Sequence, residues 1–194
     1  MPPKAQLSRE DILDKALELT RAEGFDSLTA RRLAKALGCS TQPVFRAFQT
    51  MEELKAALYL RARDYAQTCI MSRQREDEPR FLSMGLAYVD FAAREKQLMR
   101  FISMSDCFSL DSMQALAKGA GDLAVQGVPE LAGMSPQQAG ALFSMTWIFT
   151  HGIAAMVATN SVSIPEETLK KTLTSAYLAF ARELEREHHE STEQ

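Results

Sequence analysis

The chain has 194 residues, 46% of them hydrophobic and 24% charged, a balance that excludes disordered, collagen-like and membrane classes. That length can bury a substantial core without metals or disulfides, and Cys39, Cys69 and Cys107 form no C-x-x-C pair, so no metal site or cofactor is expected and the thiols fit a reducing cytoplasm. The net charge of −3 hides an asymmetry, because residues 1–63 carry +3 and residues 64–194 carry −6, as expected when one end alone meets phosphate.

In chain order the punctuation is helical throughout, and an all-α fold is expected. Met1 to Glu10 is polar and has no apolar export core. Ser8 with Asp11 resembles a capping box, and Ile12, Leu13, Ala16 and Leu17 recur at helical spacing until Gly24, predicting a first helix over 9–23. Leu28 and Thr29 open a short second helix with Ala30, Leu33, Ala34 and Leu37 inside, closed by Gly38. Ser40 is the expected cap of a third, over 41–48.

Thr50 with Glu53 is a second capping box, opening a long helix over 51–72 that would span about 30 Å at 1.5 Å per residue. The charged stretch 73–79 breaks the pattern. Phe81, Met84, Leu86, Tyr88 and Phe91 predict another buried helix, and Leu98, Phe101 and Ile102 a short one. Residues 111–124 read as a helix despite Gly119 and Gly121. Ser135-Pro136-Gln137-Gln138 is a capped start, from which an apolar helix runs to Asn160. The stretch 139–158 is long enough to suggest a membrane span, but Ser144, Thr146, Thr150, His151 and two glycines, without a basic flank, favour a buried soluble helix. Ser163 with Glu166, and Pro165 in the first turn, open the last helix, striped by Leu169, Leu173, Ala176, Tyr177, Phe180 and Leu184, with a frayed tail expected beyond residue 187.

The spacing of Ala34, Gly38 and Val44 carries the functional signal. Two helices crossing steeply through a tight turn need a small residue at the crossing, a sharp turn and an apolar filler of the angle. An ordinary helical hairpin meets any one of these needs; together they point to a helix-turn-helix that binds double-stranded DNA. Gly24-Phe25, Leu28-Thr29, Arg32-Leu33-Ala34, Leu37-Gly38 and Ser40 through Phe48 also resemble the N-terminal domain of the tetracycline-repressor-like (TetR) family over residues 8–60. Trp147-Ile148-Phe149-Thr150-His151-Gly152 resembles a W-x-x-x-H-G element of some regulatory domains in that family.

The resemblance implies a DNA-binding domain over 1–50, an effector-binding and dimerisation domain over 51–194 entered by the connecting helix, and a homodimer. It places Thr41, Gln42, Pro43 and Arg46 toward the major groove, where Gln42 suits adenine and Arg46 suits guanine or phosphate. Ser40 and Phe45 flank them. Thr29, at a helix start, suits a phosphate, while Arg31 and Lys35 are phosphate candidates and Arg32 is read as structural. The chain departs from the family pattern where Tyr, His or Tyr, and Lys usually hold phosphates: Phe45, Ala47 and Met51 stand there. A family-like module that binds a ligand or partner with weakened or lost DNA binding is therefore the alternative function.

Met84, Tyr88, Phe91, Met104, Phe108, Met113, Phe143, Trp147 and His151 are candidate walls of a cavity for a small apolar or aromatic effector; the same residues also suit a plain core. The last two helices carry more apolar surface than one side can cover, which suggests the homodimer seam, with Gly140, Gly152, Ala154 and Ala176 allowing close approach. The expectation is a cytoplasmic repressor, released from a pseudopalindromic operator when effector binding changes the separation of two heads. No paired carboxylates, phosphate loop or nucleophile-base motif suggests an enzyme.

Overall fold

The computed structural model describes residues 7–75, 77–105, 114, 117–119 and 131–192, and these contain helices and no strand. The helices are α1 (Arg9–Glu23), a 3₁₀ turn (Phe25–Ser27), α2 (Ala30–Ala36), α3 (Gln42–Ala47), α4 (Met51–Met71), α5 (Arg80–Arg94), α6 (Lys96–Met104), α7 (Pro136–Ala158) and α8 (Glu166–Thr192). The helix expected over 111–124 lies outside the described residues except at 114 and 117–119, which are helical.

Local chemistry sets most of the ends. Ser8 and Asp11 form the reciprocal capping box of α1, and Ser135 with Gln138 forms that of α7. At α4 the Thr50 hydroxyl accepts from the Glu53 N–H at 3.1 Å, while the Glu53 carboxylate reaches one residue further back, to the Gln49 N–H at 2.9 Å. Asn160, in the left-handed region at φ 57°, ends α7 in a Schellman-type turn, with its own N–H on the Val157 carbonyl and that of Ser161 on the Met156 carbonyl. Three expectations are corrected. Ser40 does not cap α3, which starts at Gln42 after Thr41 in a helical conformation and has no side-chain cap; Pro43 lacks one of the N–H groups a cap would serve. Pro165 precedes α8 and gives its carbonyl to the Leu169 N–H rather than lying in the first turn. Finally, α8 continues past residue 187 to Thr192.

The chain divides into two compact units. The first takes the chain up to Cys69 and resumes at Glu95, so α6 belongs with α1 to α3 and most of α4. Its core includes Ile12, Ala16, Leu33, Val44, Phe48, Leu54, Leu58, Leu98 and Met99. Phe101 of α6 stacks on Phe25 with centroids 4.7 Å apart, which ties α6 to the turn after α1.

The second unit packs α5, α7 and α8 against one another. Leu131, Ala139 and Leu142 meet Ala181 and Leu184 in one buried cluster. A Cβ on Gly140 would lie 2.9 Å from the Ala117 carbonyl oxygen, so the absence of a side chain lets that backbone approach α7. The charged stretch 73–79 is tied down on both sides: Lys170 pairs with Glu78 at 2.6 Å, Arg75 with Glu166 at 2.7 Å, and the buried Ser83 hydroxyl accepts the Arg75 N–H at 2.5 Å.

Candidate functional site

The turn between α2 and α3 forms because Gly38 takes a positive φ of 66° at the helix end. The Cys39 N–H returns to the Ala34 carbonyl at 3.0 Å and the Gly38 N–H to that of Lys35 at 3.2 Å, the paired bonds of a Schellman turn. Ala34 is buried at the crossing and Val44 fills the angle, as their sizes require. With Val44 and Phe48 inward, α3 turns Gln42, Phe45 and Arg46 to solvent, with Thr41 and Pro43 half-buried beside them and Ser40 exposed ahead.

On α2, Arg31 and Lys35 are exposed one turn apart, on one face. Arg32 points elsewhere: its guanidinium makes a two-pronged pair with Glu23, Nε lying 3.1 Å from one carboxylate oxygen. That pairing lowers the Glu23 pKa. The Thr29 hydroxyl accepts the Arg32 N–H at 3.1 Å and so serves as the cap of α2.

Two supports escaped the sequence because they join distant segments. Arg9 donates to the Ala47 carbonyl at 2.5 Å and to Glu53 at 3.0 Å, and its guanidinium sits 4.0 Å from the Phe48 ring centroid. A cation thus meets the C-terminal end of α3, where carbonyls lack helical partners. Arg21 in turn grips Glu95, which opens α6, and lies 4.5 Å from the Tyr65 ring centroid. The Tyr65 hydroxyl donates to the same carboxylate at 3.1 Å. Burial, a hydrogen bond with Cys69 and the Glu95 charge push the Tyr65 pKa up to about 12.

In the second unit, part of the candidate effector wall comes together. The Tyr88 hydroxyl of α5 and His151 Nδ1 of α7 are 2.8 Å apart, and the Trp147 ring stacks on the imidazole at 4.8 Å between centroids. Burial lowers the His151 pKa, favouring the neutral ring. Met84 and Phe143 are half-buried, and Phe91 is fully buried in the core of α5. Met104 belongs to the first unit and is 77% exposed. Phe108 and Met113 lie outside the described residues.

The outer face of α7 is apolar yet uncovered. Ile148 is 58% exposed and Met156 45%, with exposed Gly152 between them, and Leu178 on α8 is 45% exposed. By length and composition α7 could also cross a membrane. No group of three or more His, Cys, Asp or Glu side chains capable of holding a metal occurs among the described residues.

Residues 12–58 match the family model of the bacterial regulatory proteins, tetR family. Over 92 residues the chain is 35% identical to an uncharacterized HTH-type transcriptional regulator of Mycobacterium tuberculosis, a match covering 45% of this chain and only 41% of that protein. Among solved structures it is similar to a candidate TetR family transcriptional regulator from Vibrio parahaemolyticus, with TM-score 0.61 and 18% identity over 87% of this chain and 96% of that one. A candidate TetR family regulator from Streptomyces coelicolor A3(2) gives TM-score 0.55 and 18% identity, covering 92% and 93%. At such identities the likeness lies in the fold: a helix-turn-helix head followed by a helical domain.

Proposed function

We propose that the chain is a regulator of the tetR type, a ligand-responsive transcriptional repressor that binds a pseudopalindromic operator as a cytoplasmic homodimer; the match of residues 12–58 to the tetR family model supports this reading. It acts by binding, without turnover. The observation that carries this reading is α3, which exposes Gln42 and Arg46 from a helix seated on buried Val44 and Phe48, beside exposed Arg31 and Lys35. Gln42 suits bidentate pairing with adenine and Arg46 suits guanine or a phosphate, while Arg31 and Lys35 supply sequence-independent attraction.

The Tyr88–His151–Trp147 cluster, with Met84 and Phe143, is the proposed effector wall. Flat aromatic surface with one polar edge suits a small apolar or aromatic molecule. The uncovered stripe of Ile148, Gly152, Met156 and Leu178 is the proposed dimer seam, because apolar residues at this spacing on adjacent helices can close a four-helix bundle between two copies. Effector binding would then change the separation of the two heads and prevent both from docking at once.

A second reading, a ligand- or partner-binding module without DNA, has one observation in its favour: Phe45, Ala47 and Met51 leave that side of the head without polar reach. A footprint on the DNA upstream of the chain's own gene separates the two. The repressor reading expects protection at low salt; no protected site at low salt, with or without cell extract, refutes it.

A further inference from the structure

We propose that Phe45 reads thymine, its ring packing on the 5-methyl group in the major groove next to the adenine that Gln42 would bond. The proposal rests on the DNA-binding reading above and adds a base to it.

Among the side chains of α3, Val44 is buried and Gln42, Phe45 and Arg46 face solvent. At 3.6 residues per turn, Phe45 and Arg46 lie about 60° and 40° to either side of Gln42, so the three share one face. Phe45 keeps 47% of its surface exposed, between exposed Gln42 and Arg46 on that face. A phenyl ring neither donates nor accepts a hydrogen bond, so it cannot anchor a phosphate. Among the groups that base pairs present in the major groove, the thymine methyl is the apolar one.

Spacing fits the same assignment. Three residues along a helix advance about 4.5 Å, close to the rise of one base-pair step of about 3.4 Å, so a ring one turn from Gln42 meets the neighbouring pair. The surroundings favour nucleic acid over a second protein surface: residues 1–63 carry a net +3, and Arg31, Lys35 and Arg46 are exposed.

The test uses the full-length protein and the duplex it protects in the footprint, with each thymine of a half-site replaced in turn by deoxyuridine, which removes only the methyl. Affinity is read by fluorescence anisotropy at one fixed salt concentration. One position per half-site should weaken wild-type binding about fourfold, the worth of one buried methyl-sized group. Phe45→Ala should bind the thymine and deoxyuridine duplexes equally, and about as well as the wild type binds the deoxyuridine duplex. If the wild type holds the duplex but no replacement weakens it, thymine reading is wrong and DNA binding stands. Equal sensitivity of Phe45→Ala and wild type to deoxyuridine overturns the assignment to Phe45, including the case in which Phe45 instead contacts a second copy of the chain. Failure to protect any site at low salt overturns both readings. The deoxyuridine arm needs no variant, so its outcome does not depend on how Phe45→Ala folds.

Discussion

Gly38 and His151 are single positions whose roles follow from backbone and burial. A Cβ at Gly38 would meet nothing within 4 Å, so its cost is conformational: φ 66° is a region that side chains with a Cβ disfavour. Gly38→Ala should destabilise the fold by about 1 kcal/mol, read as a lowered urea midpoint; an unchanged midpoint would mean that the turn is not under that constraint. For His151, burial holds the folded pKa below its ordinary 6.5. Its neutral form is the one the fold accepts, so its contribution is present above about pH 6.5 and is lost as pH falls below that toward the folded pKa. His151→Gln should flatten the fall in urea midpoint between pH 7 and pH 5; an equal fall in both proteins contradicts the assignment.

Helices differ in how much of their placement the sequence discloses. Ser8–Asp11, Thr50–Glu53 and Ser135–Gln138 are readable because each cap is complete within four or five residues, and Ala34, Gly38 and Val44 because a tight helix crossing constrains size at fixed offsets. Arg9 on Ala47 spans 38 residues and Arg21 on Glu95 spans 74, and no local pattern announces either. Ser40 is a favourable cap type, but Pro43 stands three residues on, where a capping hydroxyl would need an N–H. In the second unit the aromatic cluster was legible where its members share one helix. Trp147 and His151 lie one turn apart and stack, a pairing that helical spacing announces. The sequence offers Gly140 for close approach at a dimer seam; within the chain it is the Ala117 backbone that approaches it. Gly140→Ala gains helix propensity of up to about 1 kcal/mol but drives a methyl to within 2.9 Å of a carbonyl oxygen. Net destabilisation of about 1–3 kcal/mol in thermal unfolding is expected, and a gain in stability would contradict the packing.

For the molecule as a whole, the exposed stripe on α7 and α8 is where assembly can be tested apart from folding. Ile148 is 58% exposed in the single chain, so Ile148→Asp should leave helicity unchanged. In a dimer the same change buries an unpaired carboxylate, costing several kcal/mol. Sedimentation equilibrium should find the variant with the mass of one chain at micromolar concentration where the wild type has twice that mass. Two equal masses would move the seam elsewhere.

The most direct test of a dimer that presents two α3 helices to DNA is selection of bound duplexes from a randomised pool by the purified wild-type protein. The account predicts an enriched pseudopalindrome whose half-site centres lie about 34 Å, one helical turn, apart, with an A·T pair at the position read by Gln42. No enriched sequence, or a single site without two-fold symmetry, would contradict it.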